Sequence, residues 1–161
     1  MKAIIDVQIG QVKVEQGKAI LKSTAIGSCV AIVAYDATKK IGALAHVMLP
    51  GRAAVGKKLG VKTRYAADAI DAMLNQMSQL GSKTDDIEVA LVGGANVLGR
   101  EDDTICKDNV ESVLELLLKK QFRVQAQEVG GTVRRSVSLD VERGIVFCTE
   151  GNGSEMQLYR A

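Results

Sequence analysis

Two nearly unbroken apolar runs constrain this chain more than any other feature. Cys29-Val30-Ala31-Ile32-Val33-Ala34-Tyr35 is followed, after the charged turn Asp36-Ala37-Thr38-Lys39-Lys40, by a second run over 41–49. A strand with one wet face alternates apolar and polar residues, whereas a continuous apolar strand needs cover on both faces. Helical cover is limited. Over 63–80, Ala66, Ala69, Ile70, Met73, Leu74, Met77 and Leu80 recur at helical spacing, and Gly81 stands where a C-terminal cap belongs. Over 108–120, Val110, Val113, Leu114, Leu117 and Leu118 share a face. Asp108 is placed to cap that second helix, Lys119 and Lys120 suit its C-terminal dipole, and Glu115 stands one turn before Lys119.

The rest reads as strands. Residues 3–9 and 12–14 are punctuated by Gly10 and Gly17, Ile87–Val92 runs into Gly93-Gly94, and short strands are expected at 122–129, 134–141, 144–149 and 155–159. Two helices are too few to cover both faces of a large parallel sheet. The expected fold class is therefore α+β, a layered α/β/β sandwich of mixed sheets with two main amphipathic helices, in which sheet packs on sheet. No repeat, low-complexity tract or composition shift divides the chain. Its 161 residues suit one domain over 1–161, burying roughly two-thirds of the unfolded surface.

Composition removes several function classes. Aromatics make up 3% of the chain and Trp is absent, which leaves no stacking platform for single-stranded nucleic acid. A net charge of +2 gives no electrostatic case for nucleic acid or an anionic membrane as partner. No stretch approaches the roughly 20 apolar residues of a membrane span, and Asp6 interrupts the opening apolar run before it can serve as a signal peptide. A cytoplasmic, reducing location is expected, with Cys29, Cys106 and Cys148 as thiols. Three widely spaced Cys and one His make a poor zinc set, because no close-spaced ligand pair is present.

Three stretches, and a few single residues beside them, carry candidate chemistry. Gly94 to Glu101 nearly matches a phosphate-binding loop, but Arg100 stands where Lys is needed and Glu101 where a metal-binding hydroxyl is needed, so a tight turn is expected. Arg134-Arg135 reads as a solvated strand face or an anchor for a carboxylate. Gly27-Ser28-Cys29 is more informative. Its glycine permits a turn that presents a thiol at a strand edge, with backbone N–H groups nearby for an oxyanion. A thiol needs a base, and His46 is the only imidazole in the chain. Strands paired around the turn at 36–40 would bring Cys29 and His46 near each other. The alternative is that Cys29 is a small core residue and His46 a hydrogen-bonded core histidine. Cys106, near the start of the second helix, is the competing thiol, and Cys148 within Val146-Phe147-Cys148 reads as buried and inert.

Taken in order, Ile26-Gly27-Ser28-Cys29-Val30 and Ala45-His46-Val47-Met48-Leu49-Pro50 resemble the CheD family of chemoreceptor glutamine deamidases. Arg64-Tyr65-Ala66, Val92-Gly93-Gly94-Ala95, Asn109-Val110-Glu111, and Gly130-Gly131 followed by Arg135-Ser136-Val137 extend the resemblance over nearly the whole chain. It implies hydrolysis of glutamine to glutamate on chemoreceptor cytoplasmic helices, with Cys29 as nucleophile, His46 as base, Gly27 and Ser28 supporting the oxyanion loop, and no cofactor. It also implies possible methylesterase activity and docking to a CheC-type phosphatase, whose helix would occupy the same surface. The family's third catalytic residue is usually Thr. This chain departs from that pattern, with Ser23 at the position and Thr24 as the alternative third member. A module that binds the phosphatase without catalysis is the competing expectation.

Overall fold

The two apolar runs pair with each other. In a computed structural model describing residues 1–161, strands β1 (Ala3–Asp6), β2 (Val12–Gln16), β3 (Ala19–Ile26), β4 (Val30–Asp36) and β5 (Ile41–Val47) precede helices α1 (Leu59–Lys62) and α2 (Ala66–Gln79). Strand β6 (Ile87–Gly93), helix α3 (Ile105–Lys119) and strands β7 (Val124–Val129), β8 (Arg135–Asp140), β9 (Ile145–Glu150) and β10 (Met156–Arg160) follow. The strands form two five-stranded mixed sheets. A central sheet has the order β2-β5-β4-β6-β7 and an outer sheet the order β1-β3-β8-β9-β10. Only the β1–β3 and β6–β7 pairs are parallel.

Strands β4 and β5 are buried along their whole length, as their composition requires. Val30, Ile32 and Ala34 pack with Ile70, Met73 and Met77 of α2 and with Val113 and Leu117 of α3. Ala31, Val33 and Tyr35, on the other face of β4, pack with Leu21, Val137 and Leu139 of the outer sheet. Helices, central sheet and outer sheet thus make the α/β/β sandwich expected from the sequence. Each large aliphatic side chain taken fully out of water contributes about 1.5–3 kcal/mol. The two sheets come close at Gly42, where a Cβ would lie 2.6 Å from Leu139 Cδ2.

Two local readings need correction. Helix α3 starts at Ile105 with Thr104 at its N-cap position, so Asp108 lies inside the first turns and caps nothing; it accepts a 3.1 Å hydrogen bond from Thr104 Oγ1 instead. Strand β3 lies outside the spans assigned to strands, because its inward positions are not all apolar and its alternation breaks near the end. The expected Glu115–Lys119 pair does form, at 3.3 Å. No helix is long and apolar enough to cross a membrane.

Candidate active site

The register of β4 and β5 places the first two candidate residues. Val30 lies opposite Val47 and Ala31 opposite His46. Cys29 precedes β4 and joins Ala31 in the core between the sheets, so Cys29 and His46 are diagonal neighbours on the face turned toward the outer sheet.

Ser23 arrives from the opposite sheet. In the β3–β8 pairing Ser23 lies opposite Val137 and Ile26 opposite Arg135, which leaves one extra residue on β3. Ala25 takes a left-handed φ of 55° within this bulge. The extra residue leaves Thr24 and Ala25 exposed while Ser23 and Ile26 both point inward. Ser23 Oγ donates a 2.6 Å hydrogen bond to the Val7 carbonyl and lies 2.8 Å from His46 Nδ1. A hydroxyl has one proton and a carbonyl only accepts, so that proton is committed to Val7. Contact with the ring then requires Nδ1–H to donate to Ser23, which leaves the lone pair on Nε2. Of the two hydroxyl candidates, Ser23 touches the imidazole, and Thr24 is exposed and lines the cavity that reaches His46.

Burial pushes the His46 imidazole below its ordinary value, with the Val7 carbonyl acting in the opposite sense. Burial also pushes the Cys29 thiol up, partly offset by the Cys29 backbone amide, which favours the thiolate. No hydrogen bond joins the thiol to the ring. The resting pair is therefore a neutral thiol near a neutral imidazole, a departure from the acid-shifted thiol of an ion pair.

The Gly27–Cys29 turn is held from three directions. Ala95 N–H donates to the Gly27 carbonyl at 2.8 Å, and Gly94 N–H to the Cys29 carbonyl at 2.7 Å. Asn109 Nδ2 donates to the Ser28 carbonyl at 2.9 Å and to the Met48 carbonyl at 3.0 Å. Gly93, at φ 126°, leaves the Cys29 carbonyl the space that a Cβ would occupy. The segment that nearly matches a phosphate loop is thus a turn clasping the Cys29 turn. Arg135 and Arg134 part company: Arg134 is exposed, while buried Arg135 bonds Glu150 at 3.1 Å and the carbonyls of Gly93 and Gly130 at 3.2 and 2.8 Å. Asn109 was legible only as part of a motif, although Cys106, Asn109, Val113 and Leu117 share the buried stripe of α3.

A cavity of about 480 Å3 reaches His46 between Asp6, Val7, Gln8, Ile9, Lys22, Thr24 and Ala25. Cys148 lines a separate cavity of about 450 Å3 with Glu128 and Glu150, and Cys106 is buried in the first turn of α3. His46, the one imidazole in the chain, is not among the residues lining the Cys148 cavity. No three His, Cys, Asp or Glu side chains gather as a metal site.

A family model described as CheD chemotactic sensory transduction matches residues 48–150. The chain is 37% identical over 150 residues to a probable chemoreceptor glutamine deamidase CheD of Chlorobium luteolum, covering 93% of this chain and 74% of that protein. The chain belongs to the CheD family. A CheD described as a probable chemoreceptor glutamine deamidase in Methanococcus maripaludis is 34% identical over 151 residues, covering 92% of this chain and 96% of the relative. The chemoreceptor glutamine deamidase CheD of Thermotoga maritima is 31% identical over 155 residues, covering 96% of each. The CheD model match begins at Met48, beyond Cys29 and His46, whereas an alignment over 150 of 161 residues necessarily spans both.

Proposed function

We propose that this chain hydrolyses glutamine side chains of chemoreceptors to glutamate by a thiol mechanism. The observation that carries the proposal is the Ser23–His46 contact at 2.8 Å, which favours the proton on Nδ1 and a lone pair on Nε2, in a residue whose strand partner Ala31 lies two residues after Cys29. Membership of the CheD family, with relatives described as chemoreceptor glutamine deamidases, supplies the substrate class.

His46 Nε2 takes the Cys29 proton as the sulfur attacks the carboxamide carbon. The tetrahedral oxyanion is held by backbone N–H groups of the Gly27-Ser28-Cys29 turn. The imidazolium gives its proton to the amide nitrogen, the C–N bond breaks, and ammonia leaves a thioester. A water then gives a proton to His46 and its oxygen to the acyl carbon; the C–S bond breaks, releasing glutamate and restoring the thiol. Ser23 keeps the ring in the tautomer this sequence needs. Apo enzymes often hold nucleophile and base apart until substrate binds, which is consistent with the missing thiol–imidazole hydrogen bond. Receptor glutamate methyl esters fit the same route with methanol as leaving group. A CheC-type phosphatase presenting a helix to the Cys29 surface would compete with the receptor.

Incubation with a receptor cytoplasmic fragment, followed by mass spectrometry, should show glutamine converted to glutamate at discrete positions. If the protein binds a phosphatase and leaves every receptor glutamine intact, the non-catalytic module is the correct reading.

A further inference from the structure

Asn109 is completely buried, yet its Oδ1 has no hydrogen-bond partner. Both Nδ2 protons are used, one on the Ser28 carbonyl and one on the Met48 carbonyl. Turning the amide over would set Oδ1 against two carbonyl oxygens, so these acceptors fix its orientation. An orphaned buried acceptor is destabilising, whereas a leucine, bulkier than Asn, would remove that orphan but leave the Ser28 and Met48 carbonyls without this donor. What the amide adds is direction, imposed on two backbone carbonyls.

Those carbonyls are not arbitrary. Ser28 C=O belongs to the same peptide as Cys29 N–H, and in a trans peptide the two point in opposite directions. Drawing the carbonyl toward α3 therefore aims the Cys29 amide away from α3. That amide is the group that favours the Cys29 thiolate, so it lies on the sulfur's side. On the next peptide, Gly94 holds the Cys29 carbonyl at 2.7 Å. Met48 follows Val47, whose pairing with Val30 is the last rung of the β4–β5 ladder. One donor to the turn before β4 and one to the residue after β5 make Asn109 a bridge where that ladder ends.

We propose that Asn109 is a positioning residue that sets the Ser28–Cys29 peptide and the end of β5, keeping the Cys29 amide and sulfur aligned with His46. The role rests on the thiol mechanism proposed above and adds no group that touches substrate. Asn109→Leu and Asn109→Ser are compared with the wild-type chain in thermal unfolding and in steady-state deamidation of a receptor cytoplasmic fragment. Asn109→Leu should melt lower than wild type, because the Ser28 and Met48 carbonyls lose their donor, and its folded fraction should lose about ten- to a hundredfold in kcat, with KM changed less than about twofold. Asn109→Ser, which retains one donor, should keep more of kcat. A folded Asn109→Leu with kcat within about twofold of wild type, or a loss carried by KM alone, overturns the role. Should both variants fail to fold, the wild-type chain decides. The Asn109 side-chain amide resonances should shift when iodoacetamide alkylates Cys29, and unmoved resonances overturn the role. Cys29→Ala in the same assay separates the claims. An active Cys29→Ala sinks the thiol mechanism and this inference with it, whereas an inactive Cys29→Ala beside a fully active Asn109→Leu sinks the positioning role alone.

Discussion

At Ser23, one proton decides the chemistry of the site. Because that proton is spent on Val7, Ser23 presents only a lone pair to His46, and the imidazole must carry its own proton on Nδ1. Ser23→Ala removes the acceptor and frees the ring to take the other tautomer. We expect kcat to fall by about a hundredfold or more, with a stability loss of about 1–3 kcal/mol from unpaired buried polar atoms. Ser23→Thr preserves the hydroxyl and should retain most activity, and Thr24→Ala, an exposed change, should leave kcat unaltered. Steady-state assays of the three variants, with denaturant unfolding of each, check this ordering.

Titration of His46 and Cys29 gives a second outcome at this scale. The folded imidazole sits below its ordinary 6.5, so above that pH neither folded nor unfolded chain binds the proton and the His46 contribution to stability is complete. As pH falls below 6.5 the unfolded chain takes up a proton that the folded chain refuses, and stability declines until the depressed folded value is passed. The thiol works in the opposite direction. Its folded value lies above 9.0, so stability falls as pH rises through 9.0 and the unfolded thiol ionises first. Thermal unfolding against pH should lose its acid-side slope near 6.5 in His46→Gln. kcat/KM should persist below pH 6.5, since the free base survives there. An acid limb centred above 6.5 would contradict a buried, neutral His46.

Among the elements, the β6–α3 connection does the most to shape the Cys29 turn. Gly93 at φ 126° lies against the Cys29 carbonyl, so a side chain there meets both backbone strain and a backbone clash. Gly93→Ala should cost about 2–4 kcal/mol in urea unfolding and reduce deamidation more than the folded fraction accounts for. Strands β4, β5 and β6 and helices α2 and α3 were legible because one physical signal, apolar continuity or helical periodicity, marks each over most of its length. Strand β3 was not, since Ser23 occupies an inward position and the bulge at Ala25 breaks the alternation. Both departures from pattern lie at the proposed site, where Ser23 contacts Val7 and His46 in place of apolar packing. Asn109 escaped for a related reason: an Asn in an amphipathic helix reads as surface, and only the loop packed against it makes it interior.

The whole molecule divides its site between layers. His46 and Cys29 belong to the central sheet and Ser23 to the outer sheet, so the 2.8 Å contact is also a measure of sheet spacing. Gly42 keeps that spacing small elsewhere along β5, with a prospective Cβ only 2.6 Å from Leu139 Cδ2. Gly42→Val should wedge the sheets apart, costing about 1–3 kcal/mol by overpacking. It should also lower kcat in the folded fraction, although residue 42 lies at the other end of β5 from His46. Circular dichroism and turnover measured on the same samples separate the two effects.

The central claim is that Cys29 forms the bond to substrate carbon, and one comparison tests it most directly. Wild-type and Cys29→Ala chains, matched for folded fraction, are incubated with the same receptor cytoplasmic fragment, and each modification site is followed by mass spectrometry. The account predicts glutamate at discrete sites with the wild-type chain and none above the uncatalysed background with Cys29→Ala; equal conversion by both would contradict it.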